Sequence, residues 1–119
     1  MTLNPQSELR DVSGISDAEK DSIKAFMQGA VYCWVKNRKD EQFAVRDLMG
    51  GENFDWNGTP LQVLFDKHIE AGKDEESAIK AAGIDLGWIV KTVLDEDRRT
   101  FEVVKEELVN KYRWDGNEP

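Results

Sequence analysis

The chain has 119 residues, of which 39% are hydrophobic and 34% are charged, and its formal net charge is −8. This length and composition predict one compact domain with a single core, and they argue against the fibrous and disordered classes. The negative charge disfavours binding to phosphate backbones and to anionic lipid surfaces, so any contact with nucleic acid would need a local basic patch.

Cysteine usage and the N-terminal sequence bear on the compartment. The one cysteine, Cys33, rules out an intramolecular disulfide framework, and the sequence has no Cys/His spacing typical of a zinc site. The first residues lack the basic start and apolar run of a signal peptide, and no stretch approaches the roughly 18 apolar residues that a membrane span needs. We therefore expect a cytoplasmic protein with no metal, no cofactor and no membrane contact.

Order is predicted to begin near Ser16. Residues 1–14 are polar and lack periodicity, which predicts a flexible N-terminal arm that orders only against a partner. The run from Ser16 to Glu19 has the Ser-x-x-Glu form of a capping box, so a helix should start at Asp17. Apolar residues then recur at spacings of three and four: Ile23, Phe26, Met27, Ala30, Val31, Trp34 and Val35. We expect this helix to be the centre of the core.

A Gly-rich loop is predicted between a second helix, about Glu41 to Met49, and a third helix from Pro60 to about Ala71. The loop combines two glycines, an Asn-Gly pair and two aromatic residues, which frees the backbone and offers large contact area. The partner-binding residues are predicted in this loop: Phe54, Asp55, Trp56 and Asn57. The alternative, which is favoured on general grounds, is that both aromatic rings are buried as a cap on the core.

The same loop begins like the calcium-binding loop of an EF-hand. When Asn53 is taken as position one, the twelfth position is Leu64, where a bidentate glutamate is needed. A turn formed by Asn57 and Gly58 explains the pattern without a metal ion.

Two further helices are predicted on either side of Gly83. Asp74 is placed to cap a short helix that ends at Gly83, and Asp85 is placed to cap a helix that runs to about Leu94. A glycine followed by an apolar residue at such a corner is typical of a helix-turn-helix unit, so residues 74–94 are a candidate DNA-binding element.

The face that such a unit would turn to DNA is poor in cations and hydrogen-bond donors. Its candidate DNA-binding residues are Trp88, Lys91 and Thr92, and beside them stand only Gly87 and Asp95. A packed helical corner is the commoner explanation of this pattern.

The C-terminal part of the chain is predicted to form a last helix. Spacings of three and four between Phe101 and Tyr112 favour an amphipathic helix from Asp97, whereas the β-branched residues of Thr100 to Val104 leave a strand as the alternative. Residues 113–119 are expected to fray. The predicted fold class is therefore all-α, a compact single domain of five or six helices over residues 15–112.

No catalytic signature stands out. Cys33 and His68 form the sole conventional nucleophile-and-base pair, but a thiol on a buried helix and a lone histidine on an apolar face are usually structural. We expect a non-enzymatic protein-interaction or regulatory module that binds a protein partner or forms a homo-oligomer such as a dimer. The alternatives are DNA binding through residues 74–94 and acidic mimicry of nucleic acid.

Overall fold

The protein combines helices with a small β-sheet. The computed structural model describes residues 3–5, 8–38, 41–49, 55–106 and 109–116. In chain order, the elements of this part of the chain are β1 (Leu3–Asn4), α1 (Asp17–Asn37), α2 (Val45–Leu48), α3 (Gln62–Glu70), α4 (Glu75–Glu96), β2 (Phe101–Glu106) and β3 (Val109–Trp114). The all-α fold class with five or six helices is therefore wrong, because the described residues form four helices and a sheet.

The start of α1 agrees with the predicted capping box. The Glu19 backbone N–H donates to Ser16 Oγ at 3.1 Å, and the Ser16 N–H donates to Glu19 Oε1 at 2.8 Å. These two bonds satisfy backbone donors that the first turn of a helix leaves unpaired. The predicted start at Asp17 is confirmed.

The core lies between α1, α3, α4 and the inner face of the sheet. Its largest fully buried side chains come from all four of these parts and from the segment before α2: Phe43, Phe101, Ile23, Met27, Leu61, Leu64, Leu94, Val31 and Val90. The prediction that the apolar stripe of α1 enters the core is confirmed at its buried positions.

The two helices predicted around Gly83 form one helix, α4. Asp74 caps it as expected, since the Ser77 N–H donates to Asp74 Oδ1 at 2.8 Å. Gly83 lies inside this helix, because Ala82 and Leu86 on either side of it are both buried and their packing outweighs the roughly 1 kcal/mol cost of a helical glycine. The predicted helix-turn-helix corner is therefore wrong.

The predicted final helix is also wrong, and the strand alternative over Thr100 to Val104 is confirmed from Phe101 onward. Strands β2 and β3 pair antiparallel, with Phe101 opposite Trp114 and Val103 opposite Tyr112. Side chains alternate between the faces of a sheet, so these four lie on one face. On that face Phe101 packs edge-on against Phe43, with ring centroids 6.1 Å apart.

Parts of the predicted N-terminal arm and of the predicted C-terminal tail pack on the domain. Leu3 of β1 pairs in parallel with Phe101, and both Leu3 and Val12 are 5% exposed. At the other end Trp114, in the segment expected to fray, belongs to β3 and is 9% exposed.

The second and third helices are shorter than predicted. Phe43, expected within the second helix, instead exchanges two backbone hydrogen bonds of 2.8 Å with Tyr112, so α2 begins only at Val45. Helix α3 ends before Gly72, whose φ of +97° is the left-handed conformation expected past a helix end. Ile69, near the end of α3, is 40% exposed.

None of the helices in the described part of the chain is both long and apolar enough to cross a membrane.

Candidate interaction groove

An open groove lies where α4 meets the start of α2 and strand β3. Its volume is about 650 Å³. We call it the α4 groove, and its lining residues come from three parts of the chain: Ala44, Val45 and Arg46; Lys80, Gly83, Ile84, Gly87, Trp88 and Lys91 of α4; and Asn110 and Tyr112 of β3. Helix α4 supplies the floor because its lining residues follow one another at spacings of three and four along one face.

Two glycines one helical turn apart form the floor of the groove, and neither has a side chain that would fill it. A Cβ atom added at Gly83 or Gly87 would meet no atom within 4 Å, so space is open directly above the helix backbone. Ile84 stands between them and is 63% exposed, the largest exposed fraction among the large hydrophobic side chains of the described residues. This face of α4 thus carries apolar surface that is not covered by any described element of the chain.

Trp88 and Lys91 form one end of the groove and are fixed in place by cation–π contacts. Lys91 Nζ lies 5.0 Å from the centroid of the Trp88 ring, and Arg10 Cζ lies 4.8 Å from it. Lys91 is only 7% exposed, since its aliphatic stem is covered. The Thr92 hydroxyl donates to the Trp88 carbonyl at 3.2 Å, within the helix. The three residues predicted to bind DNA are therefore close together, but Lys91 is buried and Thr92 is turned toward its own helix.

Three cationic side chains line the groove. These are Arg46, Lys80 and Lys91, and among the described residues that line it none is acidic, whereas the whole chain carries −8. Lys80 Nζ lies 3.6 Å from Glu76 Oε1, but both side chains are well exposed, and an ion pair between exposed side chains is weak. Of the three cations, Lys91 is buried, so Arg46 and Lys80 are the exposed ones.

The β3 side of the groove is uncharged, and its backbone is already paired at Tyr112. Burial raises the pKa of the Tyr112 phenol, and a hydrogen bond with the Asn110 side chain only partly offsets this rise. The outward N–H and C=O of Tyr112 are both bonded to Phe43. An extended segment therefore cannot add to the sheet at this position.

The predicted binding loop lies elsewhere. Phe54 is outside the described residues, while Asp55 and Asn57 are exposed, and Trp56 is half-buried and packed against the core. Asp55 Oδ1 accepts a hydrogen bond of 2.9 Å from the Asn57 N–H, and Gly58 has a φ of +75°, so this part of the loop is a turn stabilised by its own side chain. None of the three described residues lines the α4 groove.

A second groove, of about 710 Å³, lies between α1 and α2. Cys33, which is exposed, lines it together with residues of both charges, among them Arg38 and Asp47. Its mixed charge gives no preference for the sign of an occupant.

Cys33 and His68, which were predicted to be structural, have different surroundings, since Cys33 lines the second groove and His68 pairs with Asp85. His68 Nε2 lies 2.7 Å from Asp85 Oδ2, and Lys67 Nζ lies 2.8 Å from the same oxygen. Lys67 Nζ also donates to the Ser13 carbonyl at 2.6 Å. This cluster ties α3 to α4 and to the segment before α1, which is a structural role.

The described ranges contain no group of three or more His, Cys, Asp or Glu side chains that could hold a metal ion. The predicted lack of a metal and a cofactor stays a prediction. Comparison with known protein families, with curated proteins and with solved structures finds no match to this chain. Its function is therefore inferred from the geometry of its surface.

Proposed function

We propose that the protein is a non-enzymatic interaction module of the cytoplasm, and that the α4 groove is the surface that binds its protein partner. The observation that carries the proposal is Ile84, which is 63% exposed above the open floor at Gly83 and Gly87. Exposed apolar surface in a concave site with a charged rim is characteristic of docking sites.

The groove also has the rigidity that a docking site needs. Trp88 is held by contacts with Arg10 and Lys91, and α4 is anchored by its buried face. A site that is already ordered loses little conformational entropy when its partner binds. An aromatic ring and a cation side by side are the residue types that most often dominate binding energy at interfaces.

Two observations count against DNA binding through residues 74–94. It required a corner at Gly83, where α4 is continuous, and an accessible Lys91, which is 7% exposed. No other observation favours it.

The proposal is tested with two substitutions on the same helix. Ile84 and Ile79 are both exposed, at 63% and 56%, but only Ile84 lines the groove. The tagged wild-type protein, Ile84→Glu and Ile79→Glu are each incubated with extract of the source cells, and the captured proteins are identified by mass spectrometry. A buried glutamate at the interface is costly, whereas one left in solvent is not.

The proposal requires one protein that the wild type and Ile79→Glu retain and that Ile84→Glu loses, with circular dichroism unchanged in both variants. Equal retention by all three, or no specific capture by any of them, would refute the α4 groove as the docking surface. Sizing of the pure protein at several concentrations shows whether the partner is a second copy of this chain.

A further inference from the structure

We infer that a second copy of this chain docks on the exposed side of α1, in an antiparallel two-fold dimer. We call this surface the α1 face, and its six residues are all exposed: Ala18, Ser22, Ala25, Gly29, Tyr32 and Lys36. None of them lines the α4 groove. The inference therefore goes beyond the proposed function and does not depend on it.

The α1 face has the spacing of a surface along which two helices pair. Its residues alternate between spacings of four and three over 18–36, which keeps their side chains along one line of the helix. The opposite stripe of α1, at Ile23, Met27 and Val31, is buried in the core. Helix α1 thus carries two such stripes, one that packs inside the domain and one that is exposed.

The shape of the α1 face allows a second helix to come close. A Cβ atom added at Gly29 would meet no atom within 4 Å, so the helix backbone is accessible there. Small residues at a contact let two helices approach toward the shorter end of the usual 8–10 Å between axes. Tyr32, the aromatic residue of the face, is 62% exposed although Arg99 Cζ lies 5.1 Å from its ring. Pairing would bury this ring.

The α1 face is complementary to itself. A two-fold axis at the level of Met27 relates two antiparallel copies so that each residue of the face meets another residue of the same face: Ala25 opposite Gly29, Ser22 opposite Tyr32, and Ala18 opposite Lys36. Each of these pairs joins a larger residue to a smaller one, so the side chains can interdigitate.

Charge complementarity favours a second copy and the antiparallel direction. Asp21 lies one turn beyond Ala18 on the same side of α1, where Lys36 of the second copy can reach it. Both side chains are exposed, and within the described part of the chain neither has an ion-pair partner. The two-fold axis makes this contact twice. A parallel pair would instead set like charges beside each other at both ends, which opposes association.

Sedimentation equilibrium of the pure protein tests the inference. Each copy carries −8, so the measurement is made at physiological salt, where the overall repulsion is screened. The weight-average mass should rise with concentration from that of one chain, 13.6 kDa, toward twice that value.

Two variants of the α1 face should weaken self-association. Ala25→Glu places a charge in the middle of the paired face and should raise the dissociation constant at least about tenfold. Lys36→Glu sets a glutamate against Asp21 of the second copy and should raise it by a similar factor. Circular dichroism should be unchanged in both variants, because both positions are exposed.

Three further variants separate the specific contact from net charge and from the α4 groove. Asp21→Lys combined with Lys36→Glu should recover much of the affinity that Lys36→Glu loses, since each contact again joins opposite charges. Lys73→Glu makes the same change in net charge outside the α1 face, and Ile84→Glu alters the α4 groove. Both should leave the dissociation constant of the dimer unchanged.

The inference is overturned if the mass stays at that of one chain at every concentration, or if Ala25→Glu and Lys36→Glu leave the dimer intact. Failure of the charge swap to recover any affinity would overturn the antiparallel pairing. A dimer that only Ile84→Glu abolishes would place the second copy in the α4 groove instead. Capture of a different protein through Ile84 is independent of all these results, so the proposed function is tested separately.

Discussion

Asp97 joins three elements through one carboxylate. It caps the end of α4, and its oxygens accept hydrogen bonds from Arg99, just before β2, and from Gln28 of α1, at 2.7–2.9 Å. Its side chain is 4% exposed and that of Arg99 is 12% exposed, so the carboxylate and the guanidinium form a largely buried ion pair. Removing one charge of such a pair leaves the other buried without compensation.

Asp97→Asn is expected to lower the free energy of unfolding by about 2–3 kcal/mol at pH 7. Burial raises the pKa of Asp97, but the hydrogen bonds from Arg99 and Gln28 outweigh burial, and the net pKa is below its ordinary value. A depressed pKa in the folded state gives stability that is present above the unfolded pKa of about 3.9 and is lost as pH falls through the folded value. The difference between wild type and variant should therefore shrink below pH 4.

Urea unfolding at pH 7 and at pH 3 measures this difference. Asp21→Asn, at an exposed carboxylate on α1, is the control and should change stability by less than about 0.5 kcal/mol. A loss for Asp97→Asn that is as large at pH 3 as at pH 7 would argue against the charge as its cause.

Local signals in the sequence were sufficient for single residues whose role depends on near neighbours. The capping box at Ser16 and the cap at Asp74 each act within a few residues, and each is found as predicted. The burial of Lys91 and the pairing of Asp85 with His68 depend on residues distant in sequence, so no local pattern reveals them.

At the scale of elements, the sequence predictions failed where two periodicities overlapped. Phe101, Val104 and Tyr112 suit a helix by spacing, but the alternation of Phe101 with Val103 and of Tyr112 with Trp114 suits two strands equally well. The connection between β2 and β3, Glu107-Leu108, also lacks the Asn-Gly or Gly-containing pair typical of a short hairpin turn. The choice between a helix and two strands depends on long-range packing, since Phe101 and Tyr112 both contact the Phe43 ring.

The groove was missed for a related reason. The sequence prediction divided α4 at Gly83, so Lys80 and Trp88 were assigned to different helices. The face of α4 that these two residues share with Ile84 was therefore not recognised. Spacings of four, four and three from Lys80 to Lys91 are the signal that would have revealed it once the helix was read as continuous.

The sign of one substitution tests whether α4 is continuous. Gly83 is inside the helix with open space around its Cα, so Gly83→Ala should raise stability by about 0.5–1 kcal/mol. At a helix-turn-helix corner, a glycine in the left-handed conformation would give the opposite result. Gly72 has that conformation, with a φ of +97°, and Gly72→Ala should lower stability by about 1 kcal/mol or more.

Thermal and urea unfolding of the two variants against wild type provide the measurement. A loss of stability for Gly83→Ala, comparable to that for Gly72→Ala, would contradict a continuous α4.

At the scale of the whole molecule, described residues of the segment before α1 pack on the folded domain. Leu3 extends the sheet beside Phe101, Val12 lies in the core, and Arg10 contacts Trp88 at the end of the α4 groove. The polar composition of this segment predicted a flexible arm. Burial of these two apolar side chains is enough to hold the segment against the domain. The same contacts link this segment to the groove.

Leu3→Ala tests that attachment. Since Leu3 is 5% exposed, the substitution should cost about 2 kcal/mol, near the lower end of the range for buried leucines. Leu9→Ala, at a position 37% exposed, is the matched control and should cost much less. Limited proteolysis and urea unfolding distinguish the two, and equal, small effects would return the segment to a mobile arm.

The most direct test of the α4 groove as the docking surface is a map of amide chemical shifts. The 15N-labelled protein is titrated with the protein that the wild type and Ile79→Glu retain and that Ile84→Glu loses, and changes are followed residue by residue. The largest changes should cluster at Lys80–Lys91, Ala44–Arg46 and Asn110–Tyr112, with little change at Asp55–Asn57. Changes centred on Asp55–Asn57 or on the groove that contains Cys33, with none along α4, would contradict the account.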